Sequence, residues 1–191
     1  MRIVLLGAPG SGKGTQGELL AKRLGVPHIA SGELLRKHVK AESELGRDVA
    51  ERLAHGDLVS DDVVLGVVGD AIAKASESGG YILDGFPRTR AQAERAHEQV
   101  QPNGIDADAA VYLALDDDVA RRRLAGRAAG GRIDDADAEV IDHRLDLFHE
   151  NMSPILDFYE DRGILVPVDA SAPVDDVTEA ILAALASIDA K

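Results

Sequence analysis

The chain reads Ile-Val-Leu-Leu-Gly-Ala-Pro-Gly-Ser-Gly-Lys-Gly-Thr from Ile3 to Thr15. The first four residues form an apolar run typical of a buried strand. The part from Gly7 to Lys13 fits the first seven positions of the phosphate-binding loop pattern G-x-x-x-x-G-K-[ST]. The next position breaks the pattern, because Gly14 stands where Ser or Thr is expected and Thr15 comes one residue late. This stretch predicts a strand, a tight loop and a helix that begins near Lys13.

The glycines of this loop suit a phosphate ligand. They permit positive φ and close backbone approach, so that successive N–H groups can point inward around an anion. The helix N-terminus adds a partial positive charge, and Lys13 supplies a mobile charge for β- and γ-phosphates. Gly14 has no side chain for a metal, so Mg²⁺ is held either by Thr15 or mainly by phosphate oxygens and water. A glycine-rich turn without a ligand is the alternative, which the lysine and the strand–loop–helix context disfavour.

Composition narrows the class of protein. The 191 residues include 34 acidic and 21 basic side chains, which give a formal net charge of −13, and no cysteine. The length suits one domain with a buried core, and the acidity disfavours a general nucleic-acid binder. Without cysteine there is neither a disulfide framework nor a Cys-based metal site. Because no apolar run approaches ~20 residues and no signal-peptide pattern opens the chain, we expect a cytoplasmic protein without membrane or nucleic-acid partners.

Short apolar runs alternate with longer helix-like segments along the chain. The runs are apolar throughout, as in a parallel sheet covered on both faces. The alternation predicts one three-layer α/β domain over residues 1–191, with a five-stranded parallel sheet flanked by helices and ligands at the carboxyl ends of the strands. The predicted strands are Arg2–Leu6, Pro27–Ala30, Tyr81–Leu83, Ala110–Leu115 and Ile164–Val168. The predicted helices are Lys13–Leu24, Gly32–Lys40, Leu45–His55, Asp61–Ser76, Arg90–Val100, Asp117–Ala125, Asp137–Arg162 and Val174–Ile188.

A second motif follows the third predicted strand, where the chain reads Tyr-Ile-Leu-Asp-Gly-Phe-Pro-Arg from Tyr81 to Arg88. Asp84 ends the apolar strand, at the edge where a P-loop enzyme places a carboxylate to orient the water shell of Mg²⁺. Arg88 follows a Gly and a Pro, so we expect it on a stiff turn at the same edge. A turn or helix-capping role is the alternative for Asp84, and the phosphate-binding loop disfavours it.

Two further segments carry arginines. Ser-Gly-Glu-Leu-Leu-Arg runs from Ser31 to Arg36 after a short strand, but taken alone it is better explained by a helix cap and a solvated arginine. Arg123 and Arg127 share a helix face if the helix continues, and Arg127 and Arg132 bracket a short loop typical of a lid. A solvated basic patch is the alternative, although arginine suits the charge that phosphoryl transfer builds on oxygen atoms.

Together these four segments resemble the adenylate kinases, within the nucleoside monophosphate kinases, over essentially the whole chain. A glycine after the loop lysine looks like the variant of this family, and Asp84–Arg88 looks like its signature. The resemblance implies a P-loop NTPase-type fold with a small helical arm for the monophosphate at residues 31–60 and a short lid loop at residues 127–133. It also implies reversible transfer of the ATP γ-phosphate to AMP, giving two ADP and maintaining the adenine nucleotide pool. Mg²⁺ would accompany ATP, with Asp84 acting on it through water.

The resemblance also assigns roles by position. Arg36 and Arg88 would bind the AMP phosphate, Gln92 would read its adenine, and Arg123 would lie near the donor adenine. The implied AMP-binding residues are Ser31, Leu35, Arg36, Leu53, Asp57, Leu58, Val59, Gly85, Arg88, Gln92, Arg132 and Arg144. The implied ATP-binding residues are Gly10, Ser11, Gly12, Lys13, Gly14, Thr15, Arg123, Arg127, Val168 and Ala170. The implied catalytic residues are Lys13, Arg88, Arg123, Arg127, Arg132 and Arg144.

The chain departs from the family pattern at three places. Ser31 stands where adenylate kinases usually have Thr and uridylate/cytidylate kinases usually have Ala, and its hydroxyl favours AMP. The lid between Arg127 and Arg132 lacks the long insertion of some relatives, and without cysteine no zinc is expected. The spacing from Arg132 to Arg144 is one residue longer than usual, so His143 is the other candidate for the last site position.

Three other functions stay open at this point. A uridylate/cytidylate kinase would share the same motifs and differ in the acceptor base. A P-loop switch that binds a protein partner would hydrolyse nucleotide slowly, although the Asn-Lys-x-Asp tetrapeptide usual in small GTPases is absent from the sequence. A P-loop protein that acts on nucleic acid is disfavoured by the net charge of −13. We expect a monomer that binds ATP, AMP and ADP.

Overall fold

The computed structural model describes residues 1–128 and 137–189. Its strands form one parallel sheet in the order β2-β3-β1-β4-β5. This confirms the predicted α/β class and the five-stranded parallel sheet. The strands are β1 (Arg2–Gly7), β2 (His28–Ala30), β3 (Tyr81–Asp84), β4 (Ala109–Ala114) and β5 (Leu165–Asp169).

Eight described helices surround the sheet, and each predicted helix is present with ends shifted by at most three residues. The largest shift is at α6, which continues past Ala125 to Ala128 and so places Arg123 and Arg127 on one helical face. A short 3₁₀ helix at Gln101–Asn103, which was not predicted, ends at Gly104 with φ 66°. The helices are α1 (Lys13–Leu24), α2 (Ser31–Lys40), α3 (Glu44–His55), α4 (Asp61–Ser76), α5 (Arg90–Val100), α6 (Asp117–Ala128), α7 (Ala138–Asp161) and α8 (Val174–Asp189).

The strands β1, β3 and β4 are buried on both faces, which explains their apolar sequences. The edge strand β5 differs from the prediction, because Pro167 and Asp169 on one of its faces are exposed. Along β1, Val4 and Leu6 belong to the core on one face, which also includes Tyr159 of α7. Ile3 and Leu5 belong to the core on the other face, which includes Ile181 of α8. Burying each side chain of this size stabilises the fold by about 1.5–3 kcal/mol. A strand of this kind cannot alternate polar and apolar residues, since neither face meets water.

Strand register brings three motifs to one edge of the sheet. Asp84 at the end of β3 lies beside Leu5 of β1 and beside Ala30 of β2. Three segments therefore begin at this edge: the phosphate-binding loop after β1, helix α2 after β2 and the turn to Arg88 after β3. These are the segments that were predicted from the sequence to follow the carboxyl ends of the strands.

Helices α2 and α3 lie in the part of the chain predicted to form the arm at residues 31–60. Ser43 lies between the two helices and caps α3, because its Oγ accepts a hydrogen bond from the Gly46 amide at 3.0 Å. The predicted lid at residues 127–133 falls mostly outside the described residues, and so does Arg132. Among the helices of the two described ranges, none combines the length and the apolar character that a membrane span requires.

Candidate active site

A cleft of about 210 Å³ opens at the carboxyl edge of the sheet, as expected for a ligand site in a parallel α/β fold. Its wall combines the phosphate-binding loop, the start of α2, the end of α3, the turn after β3 and one face of α7. The predicted site residues that line it are Gly10, Gly12, Lys13, Gly14, Arg36, Leu53, Asp57, Leu58, Asp84, Gly85, Arg88, Arg127 and Arg144.

The phosphate-binding loop has the backbone conformation that its glycines predicted. Gly10 and Gly12 have φ values of 84° and 95°, in the left-handed region that favours glycine. A Cβ on Gly10 would lie 2.8 Å from the carbonyl oxygen of Ala120, so the loop also packs closely against α6. Lys13 Nζ donates to the carbonyl oxygens of Gly7 and Ala8 at 2.7 and 2.9 Å, which keeps the ammonium over the loop.

Cationic side chains converge on the cleft. Lys13, Arg36, Arg88, Arg127 and Arg144 all line it, although they come from five separate helices and turns. Burial lowers the pKa of Lys13 from 10.5 to about 8; Asp84 opposes this shift, whereas the three neighbouring arginines Arg88, Arg144 and Arg127 reinforce it. These five cations outnumber Glu33, Asp57 and Asp84, the carboxylates that line the cleft with them, so the cleft is suited to a ligand with several negative charges.

Asp84 is a carboxylate close to the phosphate-binding loop. A Cβ on Gly14 would lie 3.7 Å from Asp84 Oδ2, so this carboxylate occupies the space beside the position where most such loops carry Ser or Thr. Among the residues that the structure describes, no group of three or more His, Asp and Glu side chains is arranged to hold a metal ion. A single carboxylate fits Mg²⁺, which commonly keeps several waters and binds through one or two carboxylates plus substrate phosphates.

The turn after β3 connects Arg88 to Gln92. Arg88 Nε donates to the carbonyl oxygen of Gly85 at 2.9 Å, and the Arg88 amide donates to Gln92 Oε1 at 2.7 Å. Thr89 caps α5 by accepting a hydrogen bond from the Gln92 amide at 3.1 Å. Gly85 has φ 78°, and a Cβ there would lie 2.7 Å from Ser31 Oγ, so the turn packs against the start of α2. The two predicted acceptor segments are thus in contact.

Several predicted residues are near the cleft without lining it. Ser31, Leu35, Val59 and Gln92 are buried, at 6% exposure or less. Ser11 is also buried, whereas Thr15 at the start of α1 is exposed. Next to the edge strand β5, Arg123 Nη2 donates to the Ala170 carbonyl oxygen at 3.1 Å, and Val168 within β5 is buried.

The geometry distinguishes Arg144 from His143. Arg144 lines the cleft, and its aliphatic part packs so closely on Gly56 that a Cβ there would lie 2.7 Å from Arg144 Cγ. His143 is half exposed, and its Nε2 lies 2.8 Å from Asp57 Oδ1. Of the two candidates for the last site position, Arg144 is therefore the one placed to meet a ligand in the cleft.

Several residues that line the cleft were not among the predicted site residues, and His28, Leu147, Phe148 and Met152 are four of them. Leu147, Phe148 and Met152 follow Arg144 by three, four and eight positions, so helical periodicity along α7 could have found them. They add an apolar wall to a site otherwise recognised by its charges. His28 of β2, whose Nε2 lies 3.9 Å from Asp84 Oδ2, has no comparable signal because it sits inside a short apolar run.

The sheet order, the phosphate-binding loop and the cationic cleft define a P-loop protein of the nucleoside monophosphate kinase class. A sequence model of the family described as Adenylate kinase matches residues 5–164. The chain is 44% identical over 185 residues to an adenylate kinase of Kocuria rhizophila, with 96% of this chain and 98% of the relative covered. It is 45% identical over 186 residues to one of Xanthomonas euvesicatoria (97% and 99% covered) and 40% identical over 187 residues to one of Thermobifida fusca (98% and 99% covered). The chain belongs to the adenylate kinase family, as its four segments indicated, and it is a transferase.

Proposed function

We propose that this protein transfers the γ-phosphate of ATP reversibly to AMP, giving two ADP. The observation that carries the proposal is the convergence of Lys13, Arg36, Arg88, Arg127 and Arg144 on one cleft at the carboxyl edge of the sheet. One nucleotide would not require cations on both sides of that edge. Two nucleotides whose phosphates face each other would require cations on both sides. The adenylate kinase name of the relatives is consistent with ATP and AMP as these nucleotides.

In this proposal each side of the cleft binds one nucleotide. The loop Gly10–Thr15 and Arg127 bind the donor phosphates, and Arg123, Val168 and Ala170 approach the donor adenine. Arg36 and Arg88 bind the acceptor phosphate, and Arg144 and Arg132 reach both phosphate chains during transfer. The remaining acceptor residues, which would surround the adenine of AMP, are Ser31, Leu35, Leu53, Asp57, Leu58, Val59, Gly85 and Gln92.

The reaction needs no general base, because the attacking phosphate oxygen is already anionic. The chain contributes position, charge neutralisation and exclusion of water. Lys13 and the arginines offset the charge that develops on the transferred group, and Leu147, Phe148 and Met152 supply an apolar wall. Mg²⁺ bound with ATP would add positive charge at the phosphates, and Asp84 would hold its water shell. No zinc is part of the proposal.

An acceptor screen tests the function directly. ATP and Mg²⁺ are supplied with AMP, UMP, CMP or GMP, and nucleoside diphosphate formation is followed in a coupled assay. We expect kcat/KM for AMP to exceed that for the other acceptors by at least about a hundredfold. A preference for UMP or CMP would overturn the adenylate kinase proposal in favour of a uridylate/cytidylate kinase, and binding without transfer would indicate a switch.

The lowered pKa of Lys13 predicts proton uptake when ATP binds. At pH 8 about half of the free protein has a neutral Lys13, and bound phosphates favour the charged form. Calorimetric titrations in two buffers of different ionisation enthalpy should show that Lys13 takes up about half a proton at pH 8 and almost none at pH 6. Lys13→Arg, which stays charged throughout this range, should abolish the uptake at pH 8. Equal heats in both buffers for the unmodified protein would contradict the prediction.

We further propose a monomer that acts in the cytoplasm on ATP, AMP and ADP, without nucleic-acid or membrane partners. The absence of cysteine from the sequence suits a compartment where disulfides are rare. The net charge of −13 opposes binding to nucleic acid and to anionic lipid, whereas the local cations of the cleft still favour small phosphate ligands. Light scattering of the purified protein with and without nucleotides tests the assembly state.

A further inference from the structure

We propose that Asp61 is a positioning residue that sets the base specificity of the acceptor site by fixing the orientation of the Gln92 amide. The inference rests on the proposed function, in which Gln92 reads the base of AMP, and it goes beyond the residues that the family resemblance implied. Asp61 begins α4, immediately after the segment predicted to form the arm. Gln92 lies 31 positions later, on α5.

Two hydrogen bonds determine how the amide of Gln92 lies. Gln92 Nε2 donates to Asp61 Oδ1 at 2.7 Å, and Gln92 Oε1 accepts from the backbone amide of Arg88 at 2.7 Å. Gln92 is only 1% exposed, so water does not replace either partner readily. A backbone N–H can only donate and an ionised carboxylate can only accept, so these partners together define which end of the amide is oxygen and which is nitrogen.

Turning the amide by half a rotation would break both contacts. The nitrogen would then face the Arg88 N–H, donor against donor, and the oxygen would face the Asp61 carboxylate, acceptor against acceptor. Buried polar groups left without partners are strongly unfavourable. Asp61 and the Arg88 amide therefore hold one orientation, and Asp61 is the only one of these two groups that a side-chain substitution can change.

The orientation of the Gln92 amide is complementary to the hydrogen-bonding groups of one class of base. Each contact uses one hydrogen of Nε2 and one lone pair of Oε1, so one donor and one acceptor remain on the buried amide for a base that packs against it. Adenine presents an amino donor beside a ring-nitrogen acceptor, which is complementary to that pair. Hypoxanthine presents a carbonyl acceptor beside a ring N–H donor and would need the turned amide. IMP is therefore the sharpest probe, because it has the size and phosphate of AMP with the pattern reversed.

The test compares AMP and IMP as acceptors for Asp61→Asn and for the unmodified protein. Asn can donate as well as accept, so it removes one of the two constraints on the amide. We expect kcat/KM for IMP relative to AMP to rise by roughly tenfold or more, since one unpaired buried polar group no longer opposes the turned amide. Asp61→Ser, which also donates and suits the first turn of a helix, provides a second variant if Asp61→Asn does not fold.

Asp62→Asn is the matched control. Asp62 is the next residue of α4 and also reaches α5, where its Oδ1 accepts from Arg95 Nη2 at 2.6 Å on the protein surface. Its substitution removes the charge from a contact between the same two helices without touching Gln92, so the ratio of IMP to AMP should change by less than about twofold. If Asp61 had only a structural role, both of its variants would lower kcat/KM for AMP and IMP by the same factor.

The outcomes separate the inference from the function on which it rests. An unchanged IMP-to-AMP ratio in folded Asp61→Asn and Asp61→Ser overturns the positioning role while leaving the proposed reaction intact. Failure of the unmodified protein to phosphorylate AMP overturns the proposed reaction itself, before any variant is compared. A rise of the ratio in Asp61→Asn and Asp62→Asn alike would also refute the inference, because it would trace the effect to helix contact in general.

Discussion

Replacement of Lys13 by Met is expected to lower kcat/KM by about a thousandfold at saturating AMP. The ammonium of Lys13 lies over the phosphate-binding loop, where it donates to the carbonyl oxygens of Gly7 and Ala8. Transfer of the γ-phosphate builds charge on oxygen atoms that only a nearby, correctly placed cation can offset. The measurement is steady-state kinetics in the direction of ADP formation, with ATP varied.

The free energy of unfolding of Lys13→Met should not fall, although its activity should. Burial lowers the pKa of Lys13 to about 8, which means that the charged form is less favourable in the folded protein than in the unfolded chain. Met retains the apolar stem without that charge, so the free energy of unfolding at pH 7 should stay the same or rise. Lys22→Met, at an exposed position of the same helix, should leave kcat/KM within about twofold. A folded Lys13→Met variant with near-normal turnover would exclude the proposed role of Lys13.

Truncation of Arg88 to Ala is expected to lower kcat/KM for AMP by at least about a hundredfold. The guanidinium lines the cleft, and its hydrogen bond from Nε to the Gly85 carbonyl oxygen orients it there, where it can meet a phosphate. The backbone amide of Arg88, which holds Gln92, is unchanged by this substitution. Phosphate binding should therefore fail while the ratio of IMP to AMP stays that of the unmodified protein.

The control for Arg88 lies two residues further on. Arg90 Nε donates to Glu94 Oε1 at 2.7 Å within α5, on the exposed side of that helix. Its replacement by Ala should change kcat/KM for AMP by less than about twofold, because an exposed pair of this kind contributes little. If Arg88→Ala and Arg90→Ala behaved alike, the assignment of Arg88 to the acceptor phosphate would be refuted.

The sheet and its helices were predictable because each strand carries an unambiguous physical signal. The uniformly apolar runs required a sheet buried on both faces, and the residues of β1 do divide between two cores. The end of α6 was predicted at Ala125, three residues early. Gly126 disfavours a helix interior, whereas Arg127 and Ala128 favour one, so the glycine did not mark the end of the helix.

The charged part of the candidate site was also accessible from the sequence, since its residues directly follow strands that end at one edge. The roles given to these residues remain predictions. Residues that depend on tertiary packing were harder to find. His28 is brought beside Asp84 only by the pairing of β2 with β3, and the contact between Asp61 and Gln92 joins two helices. No spacing rule along the chain connects such pairs, because the sheet order β2-β3-β1 differs from the order of the strands in sequence.

The sheet order has a consequence for how this protein could diversify. Most groups proposed for the acceptor follow β2 and β3, whereas those proposed for the donor alone follow β1, β4 and β5. Apart from Arg132 and Arg144, which are proposed to reach both phosphate chains, the two nucleotides would thus contact separate stretches of chain. Changes confined to residues 28–100 could alter which monophosphate is accepted while the loop that holds the triphosphate stays as it is. The fold separates the choice of acceptor from the supply of the phosphoryl group.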